Sequence, residues 1–183
     1  MLETLVTLVL VRCIIGLTMH SSTDNQQERL ISNDYLAGFT DGEGTFYIGF
    51  GHRNDLPLKW QIITEFHVSQ NPGGKNVLES FRQVLGCGYL KPNHAKSSRD
   101  KTWILIVKNR NDLNNKVVPF FKKHRLHTNK HQDFEKFCWV LETISKGNHL
   151  KIDGFKKIVD FVLKDEVNDH RRYSKSYILD RLN

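Results

Sequence analysis

The sequence predicts an α+β fold whose elements follow the order helix, strand, strand, helix, strand, strand, helix, with further helices behind them. Several segments alternate apolar and polar residues with a period of two, which is typical of half-buried strands. Others repeat apolar residues every three or four positions, which is typical of helices packed on one side. At 183 residues, the chain has the length of one domain with a sizeable core.

The first predicted element is a short helix at residues 36–44, which leads directly into a strand. Gly38 and Gly42 lie four residues apart, so they expose a bare backbone stripe that a second helix can approach closely. Each glycine inside a helix costs about 1 kcal/mol relative to alanine. Three residues suited to cap the helix precede it: Ser32, Asn33 and Asp34.

Two acids, Asp41 and Glu43, lie at the C-terminus of this predicted helix. That end carries a partial negative charge and should repel carboxylates. A divalent cation bound by the Glu43 carboxylate and the Gly42 carbonyl would reverse the balance. Without a cation, the same residues form an ordinary helix–strand junction with an acidic turn, in which Asp41 supports the junction.

Two strands are predicted next, at residues 45–53 and 58–70, joined by a turn. Their alternation gives both strands one apolar face, formed by Phe46, Ile48, Phe50, Ile62, Phe66 and Val68. The opposite faces are polar. They suit either solvent or a hydrogen-bonding partner.

The rest of the chain continues the pattern with a helix at 76–85 and strands at 89–94 and 102–108. A helix at 112–123 should be broken around Pro119, which lacks a backbone donor. Thr128 and Asp153 are the predicted N-caps of the last two helices. Their apolar stripes comprise Phe134, Phe137, Cys138 and Leu141, then Phe155, Ile158, Val159 and Val162.

The charge is basic and unevenly distributed. Lysine and arginine outnumber aspartate and glutamate by 27 to 20. Residues 91–130 alone hold eleven basic residues against two acids. Such a block indicates a polyanionic partner, with a solvated loop face as the alternative. The three cysteines are too few and scattered for a disulfide framework, which fits a reducing compartment.

The N-terminal residues 1–28 form an apolar leader and a polar linker, which we exclude from the fold. Arg12 interrupts the apolar stretch and costs about 3 kcal/mol in a bilayer, so membrane association is not expected. An organelle-targeting or membrane-associating leader, an extra helix and translated sequence upstream of the functional domain are the three alternatives. The functional domain is assigned to residues 29–168, and residues 169–183 to a basic tail.

Residues 36–44 resemble the motif of the LAGLIDADG homing endonucleases, in the variant ending Asp-Gly-Glu-Gly, and the resemblance extends over roughly residues 34–167. It implies an antiparallel, saddle-shaped four-stranded sheet with helices on one face and double-stranded DNA along the concave face. Glu65 would accept from cytosine or orient Arg53. The expected groove-facing residues are Tyr47, Gly51, Arg53, Gln61, Glu65, His67, Lys91, Asn93, Thr102 and Lys108.

The resemblance also implies a catalytic set of Glu43, Gln70 and Lys130, with Mg²⁺ or Mn²⁺ as cofactor. Glu43 and the Gly42 carbonyl would hold the metal, Gln70 would orient solvent, and Lys130 would lie near the scissile phosphate. Lys122 and Lys123 are rival candidates for the lysine role. Lys75 is a candidate for the further basic residue that the family often carries. His124, His127 and His131 are expected to be polar or phosphate-facing rather than metal ligands.

Only one copy of the motif is present, whereas cutting two strands needs two acids. We therefore expect a homodimer whose interface includes Leu36, Gly38, Phe39 and Gly42, acting on a long pseudo-palindromic DNA site. No small-molecule substrate is expected. An intron maturase that binds intron RNA and a catalytically silent DNA-binding protein remain alternatives. By family association, the location would be an organelle, a mitochondrion or a chloroplast.

Overall fold

The structure, a computed structural model, describes residues 31–164 apart from Lys96 and Ser98, and residues 172–182. The predicted leader and linker at 1–28 lie outside the described residues. In chain order, the elements are α1 (Asn33–Glu43), β1 (Gly44–His52), β2 (Trp60–Gln70), a 3-10 turn (Pro72–Gly74), α2 (Lys75–Leu85), β3 (Tyr89–Pro92), β4 (Trp103–Val107), α3 (Arg110–Asp112), a π-helical turn (Leu113–Val117), α4 (Val118–Lys123), α5 (Lys130–Ser145), a 3-10 turn (Asn148–Leu150), α6 (Ile152–Val162) and α7 (Lys175–Leu179).

The four strands form one sheet in the order β1-β2-β4-β3, and each neighbouring pair is antiparallel. β1 and β2 pair over nine residues, from Gly44 opposite Val68 to His52 opposite Trp60. The sheet confirms the predicted α+β class, and the alternation placed the apolar faces of β1 and β2 correctly because the strand period is two.

The core lies between one side of this sheet and the helices. The ring of Phe46 from β1 lies 5.1–5.5 Å from four other phenylalanine rings. These belong to β2, α4 and α5: Phe66, Phe121, Phe134 and Phe137. Burying one such side chain contributes about 1.5–3 kcal/mol, so this cluster fixes α4 and α5 against the sheet.

The side of the sheet that the helices leave uncovered is called the outer face. Its strand residues are Thr45, Tyr47, Gly49, Gly51, Gln61, Ile63, Glu65, His67, Ser69, Tyr89, Lys91, Ile104 and Ile106, as the register requires. Ile104 and Ile106 are buried although they lie on this face. Their strand, β4, runs between β2 and β3, so side chains from both neighbours flank it.

Several helices differ from the prediction, beginning with α1, which spans Asn33–Glu43 rather than residues 36–44. The helical run containing Pro119 is not broken there, because the π-helical turn before α4 accommodates a proline in the first turn of that helix. α5 begins at Lys130 with Asn129 as its N-cap residue, although the Thr128 hydroxyl accepts from the Lys130 N–H. α6 begins at Ile152, which places Asp153 in the first turn rather than at the cap.

The C-terminal segment contributes to the core. α7 buries Ile178 completely, and the rings of Tyr173 and Tyr177 contact Trp60 at the start of β2. In the part of the chain that the structure describes, no helix is long and apolar enough to span a bilayer.

Candidate functional site

Helix α1 begins at a side-chain cap and ends directly in the sheet. The Ser32 hydroxyl accepts from the Tyr35 N–H at 3.1 Å, as expected of a serine N-cap. At the other end, Gly44 packs against the helix itself. A Cβ added at Gly44 would lie 2.3 Å from Thr40 Cγ2 and 2.8 Å from the Thr40 carbonyl oxygen. Only glycine therefore fits where α1 becomes β1.

The two sides of α1 have different surroundings. On the inner side, Leu36 is 0% exposed, and Ala37 and Thr40 are also buried. On the opposite side, Gly38 and Gly42 are exposed, and a Cβ added at either would meet no described atom within 4 Å. The predicted bare glycine stripe is therefore accessible on the surface of the chain.

The structure changes which residues of α1 can line the predicted dimer interface. Leu36 cannot line a surface between two copies, because its side chain packs entirely inside its own chain; its assignment was wrong. Phe39 is partly buried, with its ring 6.2 Å from that of Phe81 in the core. Tyr35 was missed, although it is 52% exposed. Its spacing of three residues before Gly38 could have indicated that it lies on the same side.

Asp41 connects the end of α1 to the start of α5. Its carboxylate accepts from the backbone N–H groups of His127 at 2.9 Å and Thr128 at 3.2 Å, and from the Thr128 hydroxyl at 2.8 Å. Burial opposes ionisation, but these hydrogen bonds outweigh it and lower the pKa of Asp41 below 3.8. Asp41 thus supports the junction, as predicted.

The three predicted catalytic residues lie at one edge of the fold. Gly44 pairs with Val68, so Glu43 precedes the first rung of the ladder and lies beside the end of β2, where Gln70 is the last residue. Lys130 is the first residue of α5, two residues after the Thr128 anchored by Asp41. The ends of α1 and β2 and the start of α5 are therefore brought together.

The polar groups at this edge differ in how they are held. The Gln70 side-chain oxygen accepts from the Asn71 N–H at 2.6 Å, which leaves the amide N–H groups as donors. Lys130 Nζ lies 4.0 Å from Asp133 Oδ2 and remains partly accessible. Glu43 is exposed, and its carboxylate has no hydrogen bond or ion pair to any described residue.

The oxygen atoms at this edge supply only some of the ligands that a hard divalent cation needs. Among the described residues, no group of three or more His, Cys, Asp or Glu side chains could hold a metal ion. Mg²⁺, however, usually takes one or two carboxylates together with substrate phosphates and water. The free Glu43 carboxylate and the Gly42 carbonyl suit that pattern, although one chain alone does not complete it.

The histidines near α5 are separately paired. His124 Nδ1 lies 2.6 Å from Asp34 Oδ1, and His131 Nε2 lies 3.3 Å from Glu135 Oε1. His127 contributes its backbone N–H to Asp41. The interpretation of these histidines as polar or phosphate-facing groups stays a prediction.

Lys75 lies near Gln70. Its Nζ is 3.8 Å from the centroid of the Trp103 ring, and Trp103 is the residue opposite Gln70 in the β2–β4 ladder. A Cβ added at Gly74 would lie 2.5 Å from Gln70 Cγ, so Gly74 makes room for the glutamine. Lys122 and Lys123, the rivals of Lys130, are exposed in the last turn of α4.

The outer face carries a hydrogen-bonded network across three strands. Glu65 Oε1 lies 2.7 Å from Lys108 Nζ, and Glu65 Oε2 lies 2.6 Å from His67 Nε2. The ring of Tyr47 is parallel to that of His67, with centroids 6.1 Å apart. Burial raises the pKa of Glu65, but the contacts with Lys108 and His67 prevail and lower it below 4.5. The partnership of Glu65 with Arg53 was not found.

Arg53 instead forms a two-point ion pair with Asp55 in the β1–β2 turn, at 2.6 and 2.8 Å. Near the other end of the sheet, the Asn93 N–H donates to the Thr102 carbonyl, and the Thr102 hydroxyl donates to Asp100. The remaining predicted DNA-facing residues lie on the outer face: Gly51, Gln61 and Lys91. The members of the predicted set that lie within the strands therefore share one side of the sheet, and the role of the set in DNA binding stays a prediction.

Gly49 was missed by the sequence reasoning. A Cβ added there would lie 2.3 Å from the Tyr47 hydroxyl oxygen, so the tyrosine ring lies along β1 over this glycine. A glycine two residues after an aromatic residue on the same strand face was the available signal.

The sequence matches the LAGLIDADG endonuclease family over residues 36–141. It is 30% identical over 112 residues to the "Probable intron-encoded DNA endonuclease 1" of Mycosarcoma maydis, covering 61% of this chain and 38% of that protein. It is 29% identical over 111 residues to "DNA endonuclease I-CeuI" of Chlamydomonas moewusii, covering 61% of this chain and 50% of that protein. The chain thus spans half or less of the length of these curated relatives.

Solved structures share the fold. The homing endonuclease I-TnaI is 33% identical with a TM-score of 0.73, over 83% of this chain and 98% of that one. I-SmaMI bound to cleaved DNA is 27% identical with a TM-score of 0.66, over 71% of this chain and 42% of that one. These similarities confirm the predicted fold. Because the family match spans more than half of the sequence, this chain belongs to the LAGLIDADG endonuclease family.

Proposed function

We propose that the chain is a site-specific endonuclease that cuts both strands of a long pseudo-palindromic DNA site, acting as a homodimer in intron homing. The observation that carries the proposal is that the ends of α1 and β2 and the start of α5, which carry Glu43, Gln70 and Lys130, come together at one edge of a sheet with a polar outer face. The names of the two curated relatives include a DNA endonuclease and a probable intron-encoded one, which supports the same activity here.

The roles follow from the chemistry of the groups. The Glu43 carboxylate and the Gly42 carbonyl supply oxygen ligands for Mg²⁺ or Mn²⁺. Bound there, the cation would neutralise charge developing on the scissile phosphate. The side-chain oxygen of Gln70 accepts from the Asn71 N–H, so the amide N–H groups of Gln70 are available to orient the attacking water. The Lys130 ammonium stabilises the phosphate oxygens. Lys75, close to Gln70, is the best-placed further cation.

The outer face would lie along the major groove. β2 has eleven residues, which at about 3.3 Å each span roughly one turn of duplex. Gln61, His67, Lys91 and Lys108 project from that face with the donor and acceptor groups that read base edges. Lysines in the basic block at 91–130 add the phosphate contacts that supply much of the affinity.

A second copy completes the site. One chain supplies one Glu43, whereas a double-strand cut requires a carboxylate at each scissile phosphate. The exposed Gly38 and Gly42 allow two α1 helices to pack closely about a two-fold axis. The fold matches 98% of the I-TnaI chain but only 42% of the I-SmaMI chain. A long chain therefore has room for two such units, and we propose that a short chain like this one obtains the second unit by pairing with another copy.

An organellar location, a mitochondrion or a chloroplast, is proposed from family association. Intron RNA as the partner of a maturase is the second candidate. The free Glu43 carboxylate favours the nuclease over a silent DNA-binding protein, because a scaffold that only binds DNA has no use for an unpaired acid at that edge.

The test compares Glu43→Gln with Glu135→Gln, a matched removal of an exposed carboxylate on α5. Duplex DNA carrying an uninterrupted intron insertion site is incubated with each protein and Mg²⁺, and products are resolved on a gel. Wild type and Glu135→Gln should cut both strands. Glu43→Gln should bind equally well but cut at least about 100-fold more slowly.

Other outcomes discriminate the alternatives. Binding without cutting by all three proteins indicates a silent DNA-binding protein. Tighter binding of the intron transcript than of the duplex indicates a maturase. Full activity of Glu43→Gln refutes the assignment of Glu43.

A further inference from the structure

The network on the outer face gives each carboxylate oxygen of Glu65 a partner. Oε1 accepts from Lys108 Nζ at 2.7 Å and Oε2 from His67 Nε2 at 2.6 Å, while the Glu65 side chain is only 13% exposed. An ionised carboxylate can only accept hydrogen bonds. A direct contact between Glu65 and a cytosine amine, the role expected from the sequence, would have to compete with two charge-assisted or polar partners already in place.

The Glu65 carboxylate determines which hydrogen-bonding groups Lys108 and His67 leave available to another molecule. Because Glu65 only accepts, the hydrogen in its contact with His67 is carried by Nε2. In neutral His67, Nδ1 is then an acceptor. Nδ1 has no partner among the described residues and is not a buried unsatisfied atom, so it is accessible from the solvent side. Lys108 is 49% exposed and uses one of its three donors on Glu65.

We infer that Glu65 is a positioning residue, which holds the Lys108 ammonium and the His67 imidazole as a donor and an acceptor for one G·C base pair. This inference rests on the proposed function, in which the outer face enters the major groove. There, guanine O6 and N7 accept and the cytosine N4 amine donates. Lysine commonly contacts guanine O6 and N7, which favours G·C over A·T.

Two residues next to this network, Tyr47 and Ile106, help to orient the His67 imidazole. The parallel ring of Tyr47 lies on one side of His67, and Ile106 lies opposite His67 in the ladder. Both limit the rotation of the imidazole. Lys108 is ion-paired with Glu65 on this face, and Arg53 is ion-paired with Asp55.

The test is a selection from duplexes with randomised positions, using the full chain in EDTA so that the DNA stays intact. Wild type should enrich a motif with a fixed G·C pair at one position in each half-site. Glu65→Gln should lose about tenfold of the preference at that position only. Asp55→Asn, which removes a carboxylate from another ion pair, should leave that position unchanged.

Two further variants separate positioning from a general structural role. Lys108→Met should lose the preference at the same position. Adding Glu65→Gln to His67→Ala/Lys108→Met should change nothing more, because a residue that acts through its partners has no effect without them. Thermal unfolding of each variant shows that the fold is retained.

The inference is overturned if Glu65→Gln keeps the wild-type motif, if the affected position is A·T, or if the effects of Glu65→Gln and the double variant add. A wild type that enriches no motif overturns the proposed function together with the inference. A G·C preference that survives Glu65→Gln at that position overturns the inference alone.

Discussion

Gly44 and the pair Gly38/Gly42 belong to the same nine-residue motif, yet their surroundings are opposite. A side chain at Gly44 would collide with the backbone of Thr40, whereas one at Gly38 or Gly42 would meet open space. The close junction of α1 and β1 within a single chain therefore accounts for the requirement for glycine at position 44. Gly38 and Gly42 each cost about 1 kcal/mol of helix stability with no compensating contact in the described residues.

This difference indicates which packing interaction each glycine permits, one inside the chain and the other with a neighbouring molecule. Close packing at Gly44 places Glu43 at the sheet edge, next to the end of β2. The open pair yields a benefit only when something approaches α1 from outside, and a second copy of the same helix fits a bare backbone stripe. Substitutions on the two sides of α1 should therefore affect different properties, the fold on one side and assembly on the other.

Gly44→Ala should destabilise the fold most. The added methyl group meets the Thr40 carbonyl, which cannot move without distorting α1. We expect the free energy of unfolding to fall by about 3 kcal/mol, measured by urea denaturation. A loss below about 1 kcal/mol would show that the junction is looser than described and that the contrast with Gly38 is smaller.

Gly38→Ala should act in two directions. In the isolated chain it should raise the free energy of unfolding by up to about 1 kcal/mol, because alanine favours helix and the site is open. It should weaken self-association, because the methyl group separates the two helices. Urea denaturation at low concentration and sedimentation at high concentration measure the two effects. Unchanged self-association would remove Gly38 from the interface.

Asp41→Asn tests the link between α1 and α5. Losing the carboxylate acceptor for His127 and Thr128 should cost about 1 kcal/mol at neutral pH. Since the folded pKa of Asp41 lies below 3.8, its contribution is present above that value and is lost as pH falls through the folded pKa. The stability difference between wild type and Asp41→Asn should therefore shrink in acid. A difference that is constant from pH 6 to pH 2 would contradict this.

Gly49→Ala should have the smallest effect on stability, below about 0.5 kcal/mol. It makes the same chemical change as Gly44→Ala in the same strand, but the obstructing atoms, the hydroxyl oxygen, Cζ and Cε1 of Tyr47, all belong to an exposed side chain that can move. The tyrosine ring should lift away from β1, which nuclear magnetic resonance of its ring protons can follow. A loss as large as that of Gly44→Ala would mean that Tyr47 is rigidly held.

Local patterns sufficed to predict much of this architecture. Alternation placed Phe46 and Phe66 in the core and Tyr47 and Glu65 on the outer face, because a strand has only two faces. The inward direction of Leu36 was not predicted. A glycine stripe defines one side of a helix, and it does not say which neighbouring residues the core covers.

Long-range partners were beyond sequence reasoning. Glu65 meets Lys108 only because β2 pairs with β4 in one register, and Asp41 meets Thr128 through a loop more than eighty residues away. The π-helical turn before Pro119 likewise depends on how the core positions α4. Spacing along the chain carries no information on these contacts.

The proposed pairing of two chains through the open side of α1 is tested most directly by the molar mass of the protein–DNA complex. Sedimentation equilibrium of the wild-type chain on a duplex enriched from the random pool, in EDTA, gives the number of chains per duplex. We predict two chains for wild type, and one for Gly38→Arg at the same concentration. A single wild-type chain bound to a complete site would contradict the account.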